Sequence, residues 1–282
     1  MNISVLPKRL GRSVAAGFSR SDLVVLAGGL GLLCWLWLPA LGRESDDADS
    51  LVCQANLRRV VEAMTAFASD HQDALPHPSW GAIGNGPGPD NWCYATARAG
   101  SQIPSAALAE GPFAHSSQMP FYEAGQLAGY LGNQRFLVCP LDWRLTMVEG
   151  VQASWYQQRA LKLTSYTMNG AVSGYGSSKP LPGAPNGETY KLSAFPPTAW
   201  LFWEADETSP FNWNDAGSNP LNGSEGSTQR HLGWQAQVER AQLGVSMVGR
   251  SDGGVDFRTR ADFSRLRAAP WPNDLLCGPG YW

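Results

Sequence analysis

Gly17-Phe18-Ser19-Arg20-Ser21-Asp22, followed directly by the apolar run LVVLAGGLGLLCWLWLPAL over residues 23–41, sets the architecture of the chain. The run holds nineteen residues and no charge. As a helix it reaches roughly 28 Å at about 1.5 Å per residue, close to the roughly 30 Å hydrocarbon core of a bilayer. Lys8, Arg9, Arg12 and Arg20 precede it, and Glu44, Asp46, Asp47 and Asp49 follow. Positive charge stays on the cytoplasmic side of a membrane helix, so the N-terminus is expected in the cytoplasm and the rest of the chain in the periplasm. The expected division is a basic leader over 1–17, a transmembrane helix over 18–41, an amphipathic extension over 42–75 and a periplasmic head over 76–282.

Three readings fit the apolar run. A secretory signal peptide would use Ala40-Leu41-Gly42 as its small-residue cleavage site, but its apolar core needs only about 7–15 residues. A plain uncleaved anchor explains length and orientation and gives Asp22 no role, although a carboxylate at the start of a membrane helix is costly unless paired or interfacial. The third reading is a clipped, assembling helix.

That third reading comes from resemblance. The motif from Gly17 to Leu23 resembles the prepilin-type processing site, with an acidic residue a few positions after the scissile glycine. The resemblance implies cleavage after Gly17 by a prepilin peptidase, methylation of the new N-terminal Phe18, and a role for Asp22 in offsetting a neighbouring subunit's terminal amine within a helix bundle. In the family the acid is usually glutamate and the residues before it apolar, so Arg20, Ser21 and Asp22 are departures. Pro39 falls where pilin-like helices commonly carry a proline.

Further echoes run down the chain: Cys53-Gln54-Ala55-Asn56-Leu57-Arg58-Arg59, Asp70-His71-Gln72-Asp73-Ala74-Leu75-Pro76, Phe136-Leu137-Val138-Cys139-Pro140-Leu141-Asp142 and Ser165-Tyr166-Thr167-Met168-Asn169-Gly170. Together they resemble the planctomycete-type pseudopilin-like proteins with a prepilin-type N-terminus and a C-terminal His-to-Asp-Gly signature, related to the pseudopilins of type II secretion. His231 and Asp252-Gly253 stand for that signature, with twenty residues between His231 and Asp252. The family spacing is shorter, and an insertion over 234–243 accounts for the difference. The resemblance implies a structural, non-enzymatic subunit of the inner membrane whose partners are prepilin peptidase and other pseudopilins.

The residues themselves point to an α+β fold, a long N-terminal helix on an antiparallel sheet with long loops. Cys53, Leu57, Val60, Val61, Met64, Phe67 and Ala68 recur at helical spacing on one face. Asp49 or Ser50 is expected to cap a helix restarting after a break at 42–47, and Pro76 bars its continuation. Strands are expected at 136–139, 163–168, 198–204, 245–248 and 255–258, where β-branched and aromatic runs end in Gly, Pro or Asn. Asp252-Gly253-Gly254 reads as the turn between the last two. Hydrophobic residues at 43%, charged residues at 16% and twelve tryptophans suit a folded domain. A net charge of −3 with no basic run beyond the leader argues against nucleic acid as a partner.

Four cysteines, Cys53, Cys93, Cys139 and Cys277, fall in the expected external domain, where thiols tend to oxidise, and they allow three pairings. Cys53 on the buried helix face and Cys139 at a strand end favour a helix-to-sheet bridge, which leaves Cys93 with Cys277. Zinc is not expected, because the cysteines lack close spacing and His71 and His77 are six apart. No cofactor is expected, calcium alone staying open: some pseudopilins hold it near the C-terminus, and Glu204, Asp206, Glu207 and Asp215 are candidate ligands. Two further readings stay open. Trp213 and Trp234, in polar loops, are candidates for stacking on glycans in a single-pass envelope protein that never polymerises. Glu204 and Asp206 at a strand end would be the acids of a secreted glycoside hydrolase, and His231 has no nucleophile motif beside it.

Overall fold

The computed structural model describes residues 19–79, 83, 88–107, 116–144, 151–174, 188–218, 245–259, 261–262 and 264–265, with backbone only at 22, 34–47 and 151–153. Its first helix, α1 (Arg20–Asp70), is 51 residues long. The chain divides inside it into two units, Met1–Glu44 and Ser45–Trp282.

In the first unit Leu23, Val24, Val25, Leu26, Leu30, Leu32 and Leu33 are all exposed. Among the described residues no helix is long and apolar enough to cross a membrane; for the rest of the apolar run, 34–41, only the backbone is described. The break expected at 42–47 is not formed, since the backbone is helical there. Arg, Glu, Ser and Asp each cost a helix under about 1 kcal/mol and a single glycine about 1 kcal/mol, too little to stop it. Asp49 therefore caps nothing and instead pairs with Arg144 at 2.5 Å.

In the second unit α1 is one-sided. Cys53, Leu57, Val60, Val61, Met64, Phe67 and Ala68 are buried, while Arg58, Arg59 and Glu62 face outward. Full burial of each Leu, Val, Met or Phe side chain contributes about 1.5–3 kcal/mol, so this stripe holds the helix to the domain. The helix stops where Gln72 and Asp73 take positive φ, 58° and 72°, and the Asp73 amide bonds back to Ala68 O at 2.8 Å. Such a left-handed residue and a bond from five positions on close off the last carbonyls of a helix.

Short elements follow. Strands β1 (Ala97–Arg98) and β2 (Ser101–Gln102) form a hairpin over Ala99 and Gly100, both at positive φ, as its two-residue turn requires. Helices α2 (Met119–Tyr122), α3 (Ala128–Leu131), α4 (Pro140–Arg144) and α5 (Val151–Gln157) are each one or two turns long. The strand expected at 136–139 is a 3-10 turn, Gln134–Leu137. There the Asn133 side chain accepts from the Arg135 amide at 3.0 Å, a local cap that competes with strand pairing, and Pro140 has no donor for a ladder.

The main sheet holds β3 (Tyr166–Asn169), β4 (Trp200–Glu204), β5 (Gly217–Ser218), β6 (Val245–Arg250) and β7 (Val255–Thr259), in the order β5-β3-β4-β6-β7. Three neighbouring pairs are antiparallel, but β3 and β5 run parallel, so the sheet is mixed rather than wholly antiparallel as expected. After β4 the chain crosses over to the far side of β3 and returns in the β3 direction, which a hairpin cannot do. The predicted hairpin is present: β6 and β7 turn through Asp252 and Gly253, the glycine at φ 88°. Every residue of β4 is buried, which explains its unbroken apolar run, Trp200-Leu201-Phe202-Trp203.

Candidate functional site

Beneath the second half of α1, three side chains from distant parts of the chain meet. Cys53 comes from α1, Cys139 immediately precedes α4, and Glu204 ends β4; all three are buried. One ligand atom from each lies within 4.8 Å of the other two. The register Tyr166↔Glu204 between β3 and β4 sets the tyrosine beside the glutamate, on the face that α1 covers.

Hydrogen bonds define the cluster. The Cys53 thiol donates to Glu204 Oε1 at 2.9 Å and lies 3.1 Å from the Tyr166 hydroxyl, which donates to Cys53 O at 3.2 Å. Glu204 Oε2 accepts from the Met247 amide at 3.0 Å. Cys53 and Cys139 are hydrogen-bonded thiols. Burial first, then the Cys139 hydrogen bond and the Glu204 charge, push the Cys53 thiol well above its usual range. Burial likewise pushes the Tyr166 phenol up.

The surroundings fix each member. Asn56 of α1 donates to Val138 O at 3.0 Å, tying the helix to the residue before Cys139. The Cys139 amide donates to Ser165 Oγ at 2.9 Å, and Ser165 Oγ donates to Asp142 Oδ2 at 2.7 Å. Arg159 closes the network with two hydrogen bonds to Asp142, 2.8 and 2.9 Å, its guanidinium 3.9 Å from the Trp213 ring centroid. A forked pair of this kind fixes direction as well as distance.

The sequence expectations fare unevenly here. Cys53 and Cys139 are brought side by side, as thiols without a bond between them. Cys93 is buried, and burial alone raises its thiol pKa; Cys277 lies outside the described residues. Gly17, Phe18, His231 and Trp234 also lie outside them, and of Asp22 only the helical backbone is described. Trp213 is not an exposed glycan platform, being 1% exposed beneath Arg159.

Glu204 and Asp206 take different hydrogen-bond partners. The first binds Cys53 and Met247, whereas Asp206 Oδ1 accepts from the amide and hydroxyl of Thr208. Asp215 accepts from the Gly217 amide, and among the described residues the acids close enough to other ligands to share an ion include Glu204, with Cys53 and Cys139, but not Asp206, Glu207 or Asp215. Asp252 accepts two hydrogen bonds from Arg250 and one from the Gly254 amide, and the Arg250 guanidinium holds its carboxyl below the usual range. It is the anchor of a turn. Sequence reasoning missed Glu204 as a partner of the two thiols; the signal was a lone acid closing an otherwise apolar strand. Tyr166 and the Arg159–Asp142 pair left no spacing signal.

No family model matches this chain, nor does any curated protein or solved structure.

Proposed function

We propose that the chain is a pseudopilin-like subunit, anchored in the inner membrane by its N-terminal helix and assembling through that helix into a type II secretion or type IV pilus-like filament, with an α+β head in the periplasm. The observation that carries this reading is the change of character along α1. Leu23, Val24, Val25 and Leu26 are consecutive and exposed; at 3.6 residues per turn they cover every side of the helix. A helix apolar all round needs an apolar environment, and in sequence the run continues to residue 41. From Cys53 onward the same helix has one buried face and one charged face.

Gly17, Phe18 and Asp22 take the roles that the prepilin-type motif implies: scissile residue, methylated terminus and counter-charge. Filament packing would surround the first half of α1 with copies of itself, and the membrane would hold it beforehand. The role is structural, in protein export, and calls for no catalysis.

The test is the mature N-terminus, read by mass spectrometry on protein from its native membrane. Methylated Phe18 is the expected result. A terminus at Arg43 would mean signal-peptidase release and overturn the proposal, and an intact Met1 would reduce the helix to a plain anchor.

A further inference from the structure

We propose that Cys53, Cys139 and Glu204 bind one thiophilic cation, of which zinc is the type they fit, and that the ion pins α1 to the sheet. The inference is independent of filament assembly, since it concerns only the interior of the head.

Several observations converge on it. The three ligand atoms already lie within 4.8 Å of one another, and a tetrahedral zinc with sulfur at about 2.3 Å and oxygen at about 2.1 Å sets its ligands roughly 3.5–3.8 Å apart. Two thiolates select zinc or another soft metal over magnesium or calcium. Glu204 is fully buried, and a cation beside a carboxylate withdrawn from water stabilises its charged form.

The outer contacts suit a metal centre. The Met247 amide holds the glutamate oxygen that does not face Cys53, fixing the carboxylate in the way second-shell partners orient metal ligands. Tyr166 Oη, 3.1 Å from Cys53 Sγ, stands at the cluster's edge, and the fourth position falls to it or to water. Binding breaks two S–H bonds and forms two S–metal bonds. Both protons go to solvent and nothing is oxidised or reduced. The wide sequence spacing that argued against zinc does not apply, because the helix and sheet bring together in space what no short motif joins.

A disulfide between Cys53 and Cys139 is the competing fate of the same thiols, and one experiment separates the two. The full-length protein is purified in detergent without chelator, its zinc counted by elemental mass spectrometry, and the zinc then exchanged for cobalt. Expected are one zinc per chain and a thiolate-to-cobalt charge-transfer band, with Cys53 and Cys139 both alkylated after denaturation with chelator. Glu204→Gln, which keeps shape and both thiols, is expected to weaken binding at least about tenfold, and Cys139→Ser to remove most of the charge-transfer band. A Cys53–Cys139 disulfide in protein from its native membrane would overturn the proposal. So would a parent protein with neither zinc nor a cobalt band, or metal binding that both substitutions leave unchanged.

Discussion

Gly249 of β6 lies directly beneath Val61 of α1: a Cβ built on the glycine would meet Val61 Cγ2 at 2.6 Å and Leu57 Cδ1 at 3.6 Å. The helix rests on the sheet at the one side-chain-less position of β6.

Gly249→Ala is therefore expected to overpack this contact and cost about 1–3 kcal/mol, read as a lower urea midpoint of the full chain in detergent. Val61→Ala in the same protein should recover part of that loss, with a coupling of about 0.5–3 kcal/mol between the two sites. Strictly additive losses would mean that helix and sheet do not meet here.

Asp142 and Arg159 are both buried, with side-chain exposures of 3% and 1%. Asp142→Ala would leave the guanidinium buried without its carboxylate, and about 3–5 kcal/mol of destabilisation is expected. Changing both, Asp142→Leu with Arg159→Met, should cost less than the single change. A single mutant as stable as the parent in urea would show that the pair carries no such weight.

His77 is fully buried; its Nδ1 accepts from the Ser79 amide at 3.3 Å, and its Nε2 has no partner among the described residues. Burial lowers its pKa from 6.5 to about 4. Because the folded value lies below the unfolded one, its contribution is complete above pH 6.5 and is lost as pH falls through 4. The loss proceeds at about 1.4 kcal/mol per pH unit, up to about 3 kcal/mol. The parent should thus lose more stability between neutral pH and pH 4 than His77→Phe does; parallel pH profiles would refute this.

Asp22→Ala should leave processing after Gly17 intact and impair assembly, because the acid's proposed partner is the terminal amine of a neighbouring subunit in an apolar bundle, where an unpaired charge is costly. Mass spectrometry of the terminus and crosslinking in native membranes would read the two effects separately. Normal crosslinking would remove that role from Asp22.

Much of this was legible in the sequence, and the failures have physical causes. The amphipathic stripe from Cys53 to Ala68 reads directly, because helical periodicity is local and its buried face is long. Strands β4, β6 and β7 and the turn at Asp252 and Gly253 read for the same reason. The segment 136–139 did not: its side chains look like a strand, but Asn133 and Pro140 impose a local turn that composition hides. Trp213 stands in a polar stretch of sequence and is buried all the same, since its cover is Arg159, with strands β3 and β4 between them in the chain.

The sequence by itself determined the amphipathic stripe of α1 from Cys53 to Ala68, the end of that helix before Pro76, and the hairpin at the end of the sheet, because each depends on neighbours within a few residues. Only the tertiary structure decided the parallel return of β5, the Arg159–Asp142 fork and the meeting of Cys53, Cys139 and Glu204. These contacts join residues from 17 to 151 positions apart. The cysteine and glutamate meet where the buried stripe of α1 lies on the sheet, and a polar group withdrawn from water there is costly unless it finds a partner.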